Sequence, residues 1–445
     1  MKEIDFTRGR PAANLVRFGL PVLAANLLQS VDQLVDMLVV AVFVGETGVA
    51  SLSNATMVGF VVNSFALGLS VAATVLISRA LGSPDPSGAS RVESAALLSA
   101  AAIASSAGAL LFVFPMPLYS FLGVPGEAVA SSVAYTRVWA LGLPASFLVS
   151  TAGASLRARG DARTPTALSM VVAVINCAGG IALAPVCGVA GTAWSSTVAS
   201  LAAACLSVVA LQRSRGGQYP MVPLRRDFRD LWSIAVPAAF QQALVNLSFL
   251  AITSMTNAFG FKVAAGAGAA TKANTLAGMP VWSIGQAVSA AASRCDAAGD
   301  RARAEAYVRA GTVLSLVATA FVVVPVQLFA SDLVALFARD PDSISAGVAY
   351  LRVCCSVNAF AYAVAYVLGS FEQATGAARL SAACSVMESV VVRLGLSAAL
   401  VPVSGFYGIL AGQALSPFPP LAVGIAYLFG YHAARRAGGS RHRAD

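Results

Sequence analysis

The chain has 445 residues, of which 58% are hydrophobic and only 11% charged, with a net charge of +9 and a mean hydropathy of +0.76. A water-soluble globule carries roughly 25% charged residues, so that class is excluded. Apolar blocks such as Val58 to Ile77 and Ala95 to Pro115 are each long enough to cross about 30 Å of hydrocarbon as a helix, and the fold class is an all-α polytopic membrane protein. The basic residues lie in short clusters between these blocks rather than along one polar face, which reads as topology and not as a nucleic-acid partner.

In chain order, "MKEIDFTRGRPAANLVRFGLP" runs into the first apolar segment without a small-residue cleavage site, so the first helix is expected to remain in the mature protein. Helices are predicted at 15–43, 54–78, 92–114, 131–155, 166–184, 189–211, 231–257, 264–292, 307–329, 347–370, 381–401 and 409–433, twelve in all. Alternate loops collect the arginines, among them Arg8, Arg10, Arg79, Arg157, Arg213, Arg225, Arg294 and Arg435. The opposite loops hold just Lys262 and Arg339 with Glu46, Glu127, Asp332, Asp340 and Asp342. Both termini are therefore expected in the cytoplasm, with the chain in the cell membrane. The seven cysteines lie mostly inside predicted helices, without disulfide or zinc spacing, and read as small packing residues.

"VAYTRV" at Val133 to Val138 returns as "VAYLRV" at Val348 to Val353, a shift of 215. Pro21 and Pro237 keep a shift of 216, Ser78-Arg79 and Ser293-Arg294 one of 215, Gly160 and Gly376 one of 216, and Gly188/Gly191 and Gly405/Gly408 one of 217. Such ordered anchors indicate duplication. Six helices return the chain to its starting side, so two six-helix parallel repeats are expected, related by a pseudo-twofold axis along the membrane normal, as in parallel-repeat transporters. The domain organisation is 1–211 as an amino-terminal lobe, 212–230 as a cytoplasmic linker, 231–433 as a carboxyl-terminal lobe and 434–445 as a basic cytoplasmic tail.

On the first helix, Gln29, Asp32, Gln33 and Asp36 form one polar stripe among Leu27, Leu28, Val31, Leu34, Val35 and Leu38. An ionised carboxylate at mid-bilayer costs several kcal/mol or so, and the stripe must face the bundle interior or a wet cavity. Carboxylates on adjacent turns repel when both are ionised, which favours a pair that exchanges one proton. The bland alternative places Asp32 at the outer mouth as a solvated residue. Other inward-facing candidates, Asn63, Gln241, Asn246, Asn274 and Gln286, are scattered among Ala, Val, Leu and Phe and suit a promiscuous apolar substrate cavity together with Gln29.

"GLPVLAANLLQSVDQLVDMLVVAVFVGETGVASL" (Gly19 to Leu52) resembles the first-helix signature of multidrug and toxic compound extrusion (MATE) transporters. "LRARGDARTP" (Leu156 to Pro165) resembles their loop after the fourth helix, "VINCAGGIALAPVCGVAGTA" (Val174 to Ala193) their fifth and sixth helices, and "NAFGFKVAAGAGAATKANTLAGMP" (Asn257 to Pro280) the matching part of the second half. The resemblance implies a secondary antiporter that exports amphipathic, often cationic compounds in exchange for protons or sodium by alternating access. It implies that Asp36 is the cation- or proton-binding position, where sodium could sit, and Gln29 a cavity position. Two departures stand out. Asp32 falls where many members carry an uncharged residue, and Asn176 lacks the family's acid four residues on, since Gly180 is there. Asp32 is read as replacing that missing charge, with Asp36, Asp32 and Asn176 as the site and Ser196 or Thr197 as further oxygen ligands. The bland reading of the loop at Gly160 is that Thr164 caps helix five, with Pro165 at its first position.

The carboxyl-terminal half offers Gln241, Gln242, Asn246 and Asn358 but no carboxylate on those two helices, so coupling is assigned to the amino-terminal lobe. Glu388 and Arg393, five residues apart, are poorly spaced for a same-face pair and are expected to partner other helices. Only His432 and His442 are present, both near the carboxyl end, and no "GxxxxGK" segment occurs. Histidine-based catalysis and P-loop ATP hydrolysis are thus not expected, nor is a cofactor, and the chain is read as no enzyme. The competing function is a lipid-linked oligosaccharide flippase of the same broad superfamily, which would carry extra helices and cationic cavity residues. A monomer working on small molecules among membrane lipids is expected.

Overall fold

The structure, a computed structural model, describes residues 4–83, 87–121, 126–215, 221–335 and 340–441. The middle of the expected linker, Arg339, His442 and Arg443 lie outside the described residues.

Among the described residues every element is helical. The first half contains α1 (Pro11–Phe43), α2 (Glu46–Gly82), α3 (Ser87–Val113), α4 (Pro115–Phe121), α5 (Gly126–Ala158), α6 (Arg163–Cys187) and α7 (Val189–Ser214). The second contains α8 (Arg225–Asn257), α9 (Phe261–Ala297), α10 (Arg301–Leu328), α11 (Ala330–Ala335), α12 (Pro341–Cys354), α13 (Val357–Ala374), α14 (Ala378–Val386), a π-helical stretch (Met387–Leu396), α15 (Ser397–Ser404), α16 (Phe406–Leu415) and α17 (Phe418–Arg441). Among the described residues ten helices are long and apolar enough to cross a membrane, and α12 with α13, bent by 51°, brings the number to eleven. The 37-residue α9 is long enough for a twelfth. Hydrocarbon offers no water to free backbone groups, which is why such blocks are helical throughout.

The breaks repeat as well. Positive φ angles occur at Gly45 and Gly260 (83° and 97°), Gly160 and Gly376 (95° and 100°), and Gly188 and Gly405 (60° and 58°), each pair at the shift seen in the sequence. A side chain is strained in that region, so the duplicated glycines set duplicated turns. At the last pair, a Cβ on Gly191 would lie 2.5 Å from the Leu183 carbonyl carbon and one on Gly408 2.6 Å from that of Leu400, so both hairpins close backbone on backbone.

The chain divides into two compact units. One comprises Leu20–Ala239 with the residues up to Ile4, the other Asp5–Gly19 with Phe240 onward, so the divisions fall near Pro21 in α1 and Pro237 in α8. In the first unit Glu93, fully buried on α3, accepts from Arg159 Nη2 (2.8 Å) and Arg215 Nε (3.1 Å). In the second unit Glu305 of α10 faces His432 Nδ1 at 3.0 Å, and Arg303 donates to the carbonyls of Phe6 (2.6 Å) and Gly9 (2.8 Å). Where α9 begins, Lys262 bonds Asp342 (2.7 Å) and Asp340 (3.1 Å), and its ammonium holds the Asp340 carboxyl below the usual carboxylate range. Asp340 in turn caps α12, accepting from the amides of Asp342 and Ser343.

Three local expectations are corrected. Helix six begins at Arg163, so Thr164 is not its cap. Asp161 supplies the acceptor instead, bonding the amides of Arg163 and Thr164 at 3.0 Å each and the Thr164 hydroxyl. The span predicted at 347–370 runs from Pro341 to Ala374 and breaks after Cys354. The carbonyls freed there are taken by Gln327 (Leu351 and Cys355) and by Asn358 (Cys354), so Asn358 serves the break. Finally, Glu388 and Arg393 pair directly at 2.7 Å. The reason is the π-helix, whose i→i+5 hydrogen bonds take one more residue into each ring and set residues five apart side by side. It also lies where the repeat shift grows from 216 to 217, and so absorbs the second half's extra residue. Arg393 additionally stacks over Phe249, 4.5 Å from its centroid, and Ser248 Oγ bonds the Ser389 carbonyl at 2.9 Å.

Breaking one partner of a buried ion pair costs about 3–5 kcal/mol, whereas replacing both with apolar residues is often neutral or better. Arg393→Met or Glu388→Leu alone should lower the thermal unfolding temperature of the purified protein markedly, and the double variant should recover most of the loss.

Candidate functional site

The site lies in the first unit, where α1 faces α6 and α7. The helical repeat sets Asp32 and Asp36 one turn apart on α1. Opposite them stands Asn176 of α6, only 2% exposed. Its Nδ2 donates to Asp32 Oδ1 at 3.0 Å and to Asp36 at 3.0 Å (Oδ1) and 3.1 Å (Oδ2). One amide thus bridges both carboxyl groups.

The amide is itself held from α7. Ser196 Oγ donates to Asn176 Oδ1 at 2.8 Å, and Ser195 Oγ donates to the Asn176 backbone carbonyl at 2.5 Å. These contacts need α6 and α7 close together, and Gly179 provides the approach: a Cβ there would sit 2.6 Å from Ser195 Oγ. Gly180 differs, since a Cβ there would meet Thr192 Cγ2 and Val39 Cγ1 at 3.9 Å each, an ordinary contact. The position lacking the family's acid therefore has room for a side chain to begin. One turn farther along α1 from Asp36, Val40 packs with Ala55, Tyr135, Val189 and Ala193 in an apolar cluster.

Of the residues singled out from sequence, Asp32, Asp36, Asn176 and Ser196 come together. Thr197 does not join them, and its hydroxyl donates instead to the Val138 carbonyl at 3.2 Å. Gln29 and Asn63 belong to the first unit and are exposed. Between α2, α3 and α5 of the same unit lies an apolar cavity of about 460 Å³, lined by Val62, Phe65, Leu110 and Phe147 among others. In the second unit Gln241 accepts from Gln373 at 3.2 Å, Asn246 accepts from Gln242 at 3.2 Å, Asn274 lies at the Tyr350 hydroxyl, and Gln286 is half-buried on α9.

Sequence reasoning missed Ser195, the buried Tyr135 and the buried Glu372 of α13. Ser195 is unremarked beside Ser196 until the α6–α7 approach shows which of its bonds orient Asn176. Comparing the two halves position by position would have found Glu372, because an apolar residue stands at the matching place.

What the cluster can do follows from its donors and acceptors. Two carboxyl groups sharing one neutral amide and no basic side chain can hold a proton between them. Among the described residues no group of three or more His, Cys, Asp or Glu side chains could hold a metal ion.

The chain is 26% identical to the probable multidrug resistance protein YoeA of Bacillus subtilis over 74% of this chain and 73% of that one. It is 24% identical to the probable multidrug resistance protein YpnP of the same organism over 97% and 98%. A solved structure of a MATE protein in complex with MaD3S superposes with a TM-score of 0.91 at 19% identity, covering 98% of this chain and 99% of that one. The MatE family model matches residues 21–181 and again 237–398, once in each repeat. The chain therefore belongs to the MatE family of multi-pass membrane transporters.

Proposed function

We propose that this protein is a proton-coupled antiporter that exports amphipathic small molecules, cationic ones among them, from the cytoplasm. The carrying observation is the Asp32–Asn176–Asp36 bridge. In this arrangement the amide N–H groups point at both carboxyl groups while Asn176 Oδ1 is occupied by Ser196. A sodium ion would meet an N–H donor where it needs an oxygen, whereas a proton needs just one free carboxylate oxygen. The relatives named for multidrug resistance support the substrate class, and the apolar cavity in the first unit is compatible with it. The charge distribution of the loops supports both termini in the cytoplasm, with the lobes divided near 212–230. The acidic cluster speaks against the flippase alternative, which needs cationic groups to meet pyrophosphate.

In this reading a proton entering from outside binds to the Asp32–Asp36 pair and lowers its negative charge by one, and its release to the cytoplasm restores that charge. Asn176 keeps both carboxyl groups in place through the change, because its amide can donate to a carboxylate or to the carbonyl oxygen of a protonated acid. Asp32 supplies the charge absent from Gly180.

Dye efflux from proteoliposomes under a pure proton gradient and a pure sodium gradient tests the coupling ion. Export is expected with the first and not the second, and the reverse result would remove the proton reading.

Substitutions test the assignment of residues. Asp36→Asn should leave folding intact and stop gradient-driven export, since an amide cannot bind and release a proton. Asp32→Asn should weaken coupling or move its pH optimum downward, because a carboxyl relieved of a like-charged neighbour gives up its proton more readily. Adding Gly180→Asp to Asp32→Asn should recover part of the activity, since a Cβ at Gly180 makes only ordinary contacts. An Asp32→Asn variant identical to wild type at every pH would show that Asp32 has no part in coupling.

A further inference from the structure

Among the described residues the buried acids have partners with one exception. Glu93 has two arginines, Asp227 has Arg91 at 3.8 Å, Glu305 has His432, and Glu388 has Arg393. Glu372 of α13 is 1% exposed, and among the described residues no basic side chain pairs with it. Its Oε2 is buried without a hydrogen-bond partner. Its Oε1 points at α17, 3.4 Å from where a Cβ on Gly424 would stand.

The internal repeat supplies a control. Gly376 matches Gly160, so Glu372, four residues earlier, matches Leu156. Leu156 is likewise 1% exposed and packs in the first unit's core with Ala152 of α5 and Leu211 of α7. The same place in the fold is thus filled by a leucine in one half and an acid in the other. Packing does not require the carboxyl group. An unpaired ionised carboxylate in a membrane-spanning bundle is strongly disfavoured, and a retained acid of this kind points to chemistry.

The surroundings are polar but uncharged toward it. One turn on, the Thr375 and Tyr427 hydroxyls are 2.8 Å apart, and Gln373 bonds Ser381 (3.0 Å) as well as Gln241. Of the ionisable groups on elements packed against α13, Cys384 of α14 is within electrostatic reach. Several others are engaged elsewhere, Asp296 of α9 by Tyr431 and Arg301, Arg294 with Asp5, Glu305 of α10 with Arg309 and His432, and Glu388 with Arg393, while Lys272 of α9, Arg352 of α12 and Arg379 of α14 are exposed.

We propose that Glu372 is a proton-binding carboxyl of the second unit, taking up one proton from water and returning it to water in each transport cycle. The inference rests on the proton-coupled reading above and adds a second proton to the one exchanged at Asp32 and Asp36.

The test uses the full chain with Glu372→Leu, the residue of the matching position, and Glu372→Gln. Thermal unfolding of both should equal or exceed wild type. Protons released per dye bound, read with a pH indicator in weak buffer, should fall by one in each variant. Dye accumulation in proteoliposomes at a gradient of one pH unit, with the membrane potential clamped at zero, should fall about tenfold, since each coupled proton contributes about 1.4 kcal/mol per pH unit. The infrared band of a protonated carboxyl that changes with pH should be lost in part in both variants and persist in Asp36→Asn. Variants that match wild type in proton count and accumulation would overturn the role of Glu372 and leave proton coupling at Asp36 standing. Failure of both variants to fold would overturn it too, by making the position structural. A wild-type protein that releases no protons would overturn the coupling reading itself, together with this one.

Discussion

A polar side chain inside hydrocarbon has no water to turn to, and much of this structure follows from that constraint. Each carboxyl or amide in the helical interior needs an answer from another helix, and the answer fixes how the helices approach. Asn176 is the clearest instance. Its side chain takes two acids from α1 and is held by Ser196 of α7, while Ser195 of α7 holds its backbone carbonyl, and those bonds need the close approach of α6 and α7 that Gly179 allows. The polar cluster and the packing of α6 on α7 are the same set of contacts.

The duplication shows one scaffold carrying different side chains at matching places. The turns agree closely, with glycines of like φ at matching places in both halves. The third-span helix of each half carries an Arg-x-Glu, Arg91 to Glu93 and Arg303 to Glu305, and each buried glutamate meets a basic group from the half's last helix. In the first unit that group is Arg215, the residue that ends α7; in the second it is His432 of α17. At the shift that joins Gly188 to Gly405, Asn176 corresponds to Arg393, so the second unit carries a guanidinium paired with Glu388 where the first holds a neutral amide between two acids. Conserved turns with exchanged side chains are what a duplicated frame permits, because backbone satisfaction belongs to the helices and chemistry to the few polar positions they carry.

The π-helix shows how a single-residue change in length is absorbed without disturbing either end. A helix inserted by one residue would rotate everything beyond it by about 100°. Widening one stretch to i→i+5 bonding takes up the residue locally and leaves Ser397 onward in register with the first half. The price of that widening is a set of displaced backbone carbonyls, one of which, at Ser389, is met by the Ser248 hydroxyl.

Composition and periodicity by themselves determined the membrane class, the succession of spans, the duplication and the polar stripe of α1, since each is written in local runs of residues or in a constant shift between halves. They also picked out Asp36 and Asp32, because a polar stripe in an apolar helix is conspicuous, whereas Asn176 entered through the resemblance to the MATE family, with Ser196 and Thr197 beside it. The tertiary structure alone decided which of these meet. Adjacent hydroxyls at Ser196 and Thr197 look equivalent in a sequence, yet about 100° of helical rotation sends one to Asn176 and the other to Val138. Spacing rules built on α-helices misjudged Glu388 and Arg393, because nothing in those ten residues announces a wider helix. Nor could a list of residues show that Glu372 is buried without a partner, since that depends on what α14 and α17 bring to it from 12 and 52 residues farther along the chain.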